Sequence, residues 1–398
     1  MDGLGYLEQS ATAGDDRDKG MAMTRRAVWR LMMAMTAAAL PALTGCTGFF
    51  PPIHGGGGGG GGATGNYVYV ANAGRGSVSG FSIGTGTLAR VANSPLALGY
   101  SPVAMAATPS NSFLYVAGPS SINVYAINAN GSLAVPSGGS TAAIATVVSL
   151  DVSPDGKWLF GLDGIQQLLD VFAINTTTGG LAVVGNAPYP VSGTWVPRMV
   201  RIAPNGSLVF AALGTAGDAV FSFNTTTGAT VWTGQSLTLN TATSDNALAI
   251  DSNSAYLYIA RSGVGPGVAV YAIGTGGKLN AVPGSPFAAG NQTFSVALNK
   301  AGTDVYAANR GDSTISGYSI GAGSALTPLA GSPYKSGLQV TALGVESTGK
   351  YLLAAANGGT PDLTMYGFDS TVPGKLDSLT SAATDTAPAN PVAVALTH

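Results

Sequence analysis

From Asn66 onward the chain is built of short runs in which apolar and β-branched residues alternate with small or polar ones, separated by turns. No segment sustains a 3.6-residue period, so the pattern predicts strands rather than helices. The runs VVSLDVSPDG (147–156), VPRMVRIAPNG (196–206), TFSVALNKAG (293–302) and VTALGVESTG (340–349) each end in a turn sequence. There Pro presets φ where it occurs, and Gly accepts a positive φ. Strands centred on Tyr69, Tyr115, Phe160, Phe210, Tyr258, Tyr306 and Leu353 recur at spacings of 46, 45, 50, 48, 48 and 47 residues.

A second repeat supports the same period. Residues 72–84 (NAGRGSVSGFSIG) and 309–321 (NRGDSTISGYSIG) share seven identical positions, and NSPLALG, GSPFAAG and GSPYKSG follow from Asn93, Gly284 and Gly331. One unit reads as four strands, TFSVALN, DVYAANR, TISGYSI and a last one around Leu326 to Ala330. Four short strands at a period near 47 residues predict a propeller blade, and seven such units predict an all-β, seven-bladed β-propeller over residues 66–398. The first unit starts at its second strand, and the chain finishes on an unpartnered first strand, PVAVALTH from Pro391. That C-terminal strand is expected to complete the first blade.

Composition narrows the function classes. Charged residues make up 9%, apolar residues 45%, and the net charge is -2. From Cys46 onward there are 12 Lys/Arg and 14 Asp/Glu with no basic run. Nucleic-acid binding needs a positive footprint and is not expected. The only histidines are His54 and His398, which removes a His/Cys metal site from the fold, though not an oxygen-ligated Ca²⁺. No motif calls for a cofactor, and a monomer is expected.

The N-terminal part reads as an address. Met21 to Arg30 is basic, and Leu31 to Leu43 is apolar but too short to span a bilayer as a helix. Residues 1–20 are polar and charged, unlike the start of a signal, which places the start of translation at Met21 or Met23 as an alternative to Met1. Leu43-Thr44-Gly45-Cys46 resembles the lipobox of bacterial lipoproteins, in which a peptidase cuts before the Cys and its sulfur carries a diacylglycerol. This implies a signal peptide over 1–45, lipidation at Cys46, and a Gly-rich tether over 46–65. Gly55 to Gly62 is an uninterrupted glycine run, a flexible coil that holds the next domain off a membrane. The expected location is the periplasm or the cell surface of a bacterium, with the membrane reached through the lipid anchor.

The segments LYVAG, YVYVANAG followed by VSGFSIG, and VSPDGKWLF resemble the YVTN-type repeats of the lactonase family of seven-bladed propellers. The best-known activity of that family is 6-phosphogluconolactonase. Because first and second strands are antiparallel and joined by the Pro-Asp-Gly turn on one face, first-strand starts and second-strand ends lie together on the other, around the mouth of the central channel where a propeller site is expected. That face gathers Arg198, Asn246, Asn72, Asp163, Arg261 and Asn309, with Phe294, Asn357, Arg75 and Arg310 nearby. The opposite face is expected to hold short turns.

Lactone hydrolysis needs a base for water and a donor for the oxyanion. The family pattern implies Pro-Arg-His on a first strand and a Glu after a second-strand Asn. Pro197-Arg198 fits, but Met199 stands in the His position, and Ala73, Arg310 and Gly358 follow the asparagines. Asp163 and Asp245 are the remaining candidate bases. The same asparagines also suit turns, because Asn tolerates a left-handed backbone, and Arg198 and Arg261 suit salt bridges to rim carboxylates such as Asp163 or Asp245. The sequence therefore supports a propeller that binds a sugar-like, lactone or protein ligand at this mouth, with a sugar-lactone hydrolase as the alternative.

Overall fold

A computed structural model of the chain describes residues 63–398 apart from 190, 192–193, 238 and 240–241. The signal segment, Cys46 and the glycine run lie outside the described residues. All described residues belong to one compact unit, Gly56–His398.

Seven antiparallel sheets each place four strands side by side. The innermost strands are Ala104–Ala107, Val147–Val152, Met199–Ile202, Thr243–Ile250, Thr293–Leu298, Leu338–Val345 and Pro391–Leu396. Each packs against the next, and the last meets the first, so the ring is closed. Pro391–Leu396 pairs antiparallel with Tyr67–Asn72, with Ala395 opposite Tyr69 and Val394 opposite Val70. Tyr67 N also donates to Thr397 Oγ1 at 2.8 Å. One blade thus contains both ends of the ring, as expected from the unpartnered strands.

The turn from first to second strand is the same device in six blades. Asn111, Gly156, Gly206, Ser254, Gly302 and Gly349 all have positive φ at equivalent positions. Each donates its N–H to the carbonyl three residues earlier, as Gly156 does to Ser153 and Ser254 to Asp251. The Gly-containing turns were legible, while Asn111 and Ser254 do the same work in less conspicuous sequence.

The second strands are buried on both faces because a blade lies on each side of them. Tyr67–Asn72, Trp158–Asp163 and Asp304–Asn309 have no exposed residue. Their aromatic positions bind one blade to the next. Tyr69 Oη donates to Gly131 O at 2.8 Å, Tyr115 to Gly179 O at 2.9 Å, and Tyr306 to Gly374 O at 2.6 Å. Tyr258 Oη meets Ser324 Oγ at 3.1 Å. In every case the acceptor is in the turn between third and fourth strands of the following blade. The ring is buried, and the hydroxyl satisfies a carbonyl or hydroxyl that packing would otherwise isolate.

The Ser-Pro motifs have a local cause as well. The outermost strand breaks into two pieces in blades one, two, five and six, which leaves third-strand amides without a ladder partner. Ser94 Oγ accepts from Gly80 N at 2.9 Å, Ser285 Oγ from Val270 N at 2.8 Å, and Ser332 Oγ from Gly317 N at 2.9 Å.

Candidate functional site

Strand register confirms that second-strand ends meet first-strand starts on one face. Asn72 lies opposite Pro391, Asp163 opposite Val147, Arg261 opposite Asp245, and Asn309 opposite Thr293. What the side chains do there differs from residue to residue.

Most of the expected polar residues are occupied by hydrogen bonds within the wall, and Asn72 and Asn246 reach into a neighbouring blade. Asn72 is buried, donates to Ser77 and Ser79 Oγ at 3.2 and 3.0 Å, and accepts from Thr384 Oγ1 at 2.7 Å. Asn309 repeats this with Thr314 and Ser316 at 3.0 and 2.9 Å, leaving its Oδ1 without a donor. Asn246 donates to Ser262 Oγ and to Thr293 O of the next blade, both at 2.9 Å. Asp163 Oδ1 accepts from the amides of Ile165 and Gln166, closing its own turn. These residues shape the mouth from within the wall.

Arg261 is also inside the wall. Its guanidinium is held by Asp245, with Nε to Oδ1 at 2.6 Å and Nη2 to Oδ2 at 2.7 Å, and neither residue is exposed. Asp218, from the preceding blade, sits against this pair with neither carboxylate oxygen hydrogen-bonded to a donor. Burial, and then the Asp245 charge, push Asp218 well above the usual carboxylate range. A protonated Asp218 can donate to Asp245, while Arg261 neutralises the remaining charge. The spacing of these residues in sequence did not reveal Asp218.

Arg198 is different. It is exposed, and its side chain makes no hydrogen bond or ion pair among the described residues. Its N–H donates to Ala212 O, which anchors the backbone at the start of the innermost strand. Partial desolvation, and then the neighbouring Arg310 charge, lower its pKa from the ordinary arginine value. Arg310 comes from the loop after Asn309 and lies over the Phe294 ring, 5.1 Å from its centroid. The charges of these two guanidiniums, from the fourth and sixth blades, act on each other at this mouth, and Arg198 has no ion-pair partner among the described residues. Arg75 is held elsewhere, donating to the carbonyls of Thr386 and Ala387.

The opposite end of the channel is more than short turns. A cavity of about 780 Å³ opens where the innermost strands finish, lined in part by Leu150, Asp151, Arg201, Lys300, Leu343 and His398. Asp151 Oδ2 accepts from Ile202 N at 2.8 Å, and Arg201 Nη1 lies 3.4 Å from Asp151 Oδ1. Burial inside the channel pushes the Asp151 carboxyl up, against the pull of Arg201. Neither residue was singled out from the sequence, because each stands two positions before an ordinary turn.

Residues 134–246 match the family model described as Lactonase, 7-bladed beta-propeller. The fold is that of the lactonase-type seven-bladed propellers. A candidate 6-phosphogluconolactonase from Bacteroides fragilis superposes with a TM-score of 0.69 at 16% identity, over 84% of this chain and 98% of that one. The periplasmic gluconolactonase of Pseudomonas aeruginosa gives 0.68 at 15% identity, over 84% and 99%. Hydrazine synthase of Kuenenia stuttgartiensis gives 0.57 at 18% identity, over 75% and 91%. No curated protein matches the sequence. Within the matched segment Pro197-Arg198 is followed by Met199.

Proposed function

We propose that the protein is an exported, lipid-anchored lactonase-type propeller that binds a small anionic or polyhydroxyl ligand at the mouth carrying Arg198 and Arg310. The observation that carries this reading is the exposed Arg198 guanidinium, which has no hydrogen-bond or ion-pair partner among the described residues and feels the charge of Arg310. Each guanidinium has N–H donors in a planar fork suited to a carboxylate or vicinal hydroxyls. Export and anchoring rest on the residues up to Cys46.

Hydrolysis of a sugar lactone is the second reading, favoured by the family-model match and by the likeness to a periplasmic gluconolactonase. Two features weigh against it. Met199 cannot act as a base, and the two acids considered for that role are engaged, Asp163 by backbone amides and Asp245 by Arg261.

The test is binding and turnover with gluconate and a panel of sugar lactones. Arg198→Ala is expected to weaken gluconate binding by about ten- to a hundredfold, the worth of one desolvated charge-assisted hydrogen bond. Lys157→Ala, on the turn face, should not change it. Equal affinities for the parent and both variants would sink the site. Lactone turnover that is lost in Arg198→Ala would establish the second reading instead.

A further inference from the structure

The innermost strands present seven equivalent positions, each opposite the aromatic or leucine landmark of its blade. They are Ala106, Asp151, Arg201, Ala249, Ala297, Gly344 and Ala395. Five of the seven are Ala or Gly. Small side chains at that level leave the channel open, which accounts for a cavity of about 780 Å³ at its turn-face end. The two exceptions are adjacent in the ring and touch each other. A repeat that keeps the position small in five blades and places a charged pair in the other two has broken its symmetry at one point of the wall.

The pair is incompletely satisfied. Arg201 has one contact, 3.4 Å from Nη1 to Asp151 Oδ1, and no other hydrogen bond among the described residues. A guanidinium has five N–H donors, so most of its capacity faces the cavity. Asp151 is committed on its other oxygen to Ile202 N, which fixes the carboxylate and through it the guanidinium.

One further cation stands at the rim of the cavity, Lys300, whose Nζ donates to Ser347 O. Glu346 lines the cavity as well, but it is 1% exposed. Its oxygens accept from Thr348, Lys350, Tyr351 and Asn66, so it offers nothing to a ligand. The rest of the wall is largely apolar, with Met105, Leu150, Leu298, Leu343 and Val394. A volume of this size is within the range of small-molecule sites, and few convergent polar groups on an apolar wall is their usual composition.

We propose that this cavity is a second binding site, distinct from the Arg198 mouth, for an organic carboxylate whose charged end is taken by Arg201 and whose apolar body lies against the leucine-lined wall.

Octanoate is a suitable probe, with octanol as its uncharged counterpart, measured by titration calorimetry on the full chain. The parent should bind octanoate and bind octanol less well. Arg201→Gln, which keeps the apolar stem, should weaken octanoate binding by about ten- to a hundredfold. Ala106→Leu, which fills the cavity at the same level without touching a charge, should weaken it too, and guards against a folding defect in the arginine variant. Arg198→Ala should leave octanoate binding unchanged. Failure of the parent to bind octanoate, equal binding of octanol, or equal binding by Arg201→Gln and the parent would each overturn the proposal. Loss of octanoate binding in Arg198→Ala alone would move the carboxylate to the other mouth and overturn it as well. These outcomes are separate from the gluconate test, which reads Arg198.

Discussion

Asp245 grips the Arg261 guanidinium through both oxygens, 2.6 and 2.7 Å away, in a place where neither side chain is exposed. Removing one member of a buried pair leaves the other charge without compensation, at a cost of about 3–5 kcal/mol. Arg261→Ala should therefore lower the denaturation midpoint strongly. Lys157→Ala breaks a contact of 3.8 Å at a lysine that is 65% exposed, and should shift stability by no more than about 0.5 kcal/mol. Chemical denaturation of the two variants checks this, and similar midpoints would show that Arg261 is not structural.

Asp218 makes stability depend on pH in a stated direction. Burial and the Asp245 charge raise its folded pKa above the unfolded value, so the folded state holds the proton more tightly. The contribution is fully present below the ordinary carboxylate range and is lost as pH rises through the raised value. Asp218→Asn keeps a donor toward Asp245 and cannot ionise. Its stabilising effect should be larger at about pH 9 than at about pH 5, measured as Tm against the parent. Asp151, raised in the same direction, is common to both proteins and drops out of the difference. An unchanged pH slope would refute the assignment.

The tyrosines that join blades can be tested singly. Tyr306→Phe removes the 2.6 Å bond to Gly374 O while keeping the ring. The loss should be about 1–2 kcal/mol, because a buried carbonyl is left without its donor. Phe160 and Phe210 occupy the same place in their blades, so the fold itself should persist. Urea denaturation gives the value, and a neutral substitution would mean that water replaces the hydroxyl.

Cys46→Ala should abolish lipidation and release the protein from the membrane fraction. Mass spectrometry of the mature N-terminus is the measurement. A variant that remains membrane-bound and is processed as the parent would rule out the anchor.

Much of the architecture was legible because it is written in local patterns repeated around the ring. Strand alternation, the left-handed turn residue and the landmark aromatics depend only on neighbours in sequence. The landmark tyrosines mark four blades in which a hydroxyl reaches the next blade, and the Ser-Pro motifs mark places where the outer strand stops. The unpartnered strand at Pro391 could be assigned to the first blade because an edge strand with an apolar face needs a partner.

The site was legible only in part. Asn72, Asp163, Asn246, Arg261 and Asn309 lie on the expected face, but the sequence did not say which would be free. Asp245 and Arg261 are paired across a hairpin, and Asp218 reaches them from another blade. Arg198 feels the charge of Arg310 only because the ring brings the fourth and sixth blades to one mouth. The turn-face pair, Asp151 and Arg201, breaks the Ala/Gly pattern of its position in the repeat, but only the strand register shows that the seven positions are equivalent. The sequence alone determined the strands, their number and their closure, since those follow from backbone geometry and the periodic burial of side chains. Only the tertiary structure decided which charges are neutralised and which are left to face a ligand, because that depends on packing between blades whose residues are far apart in the chain.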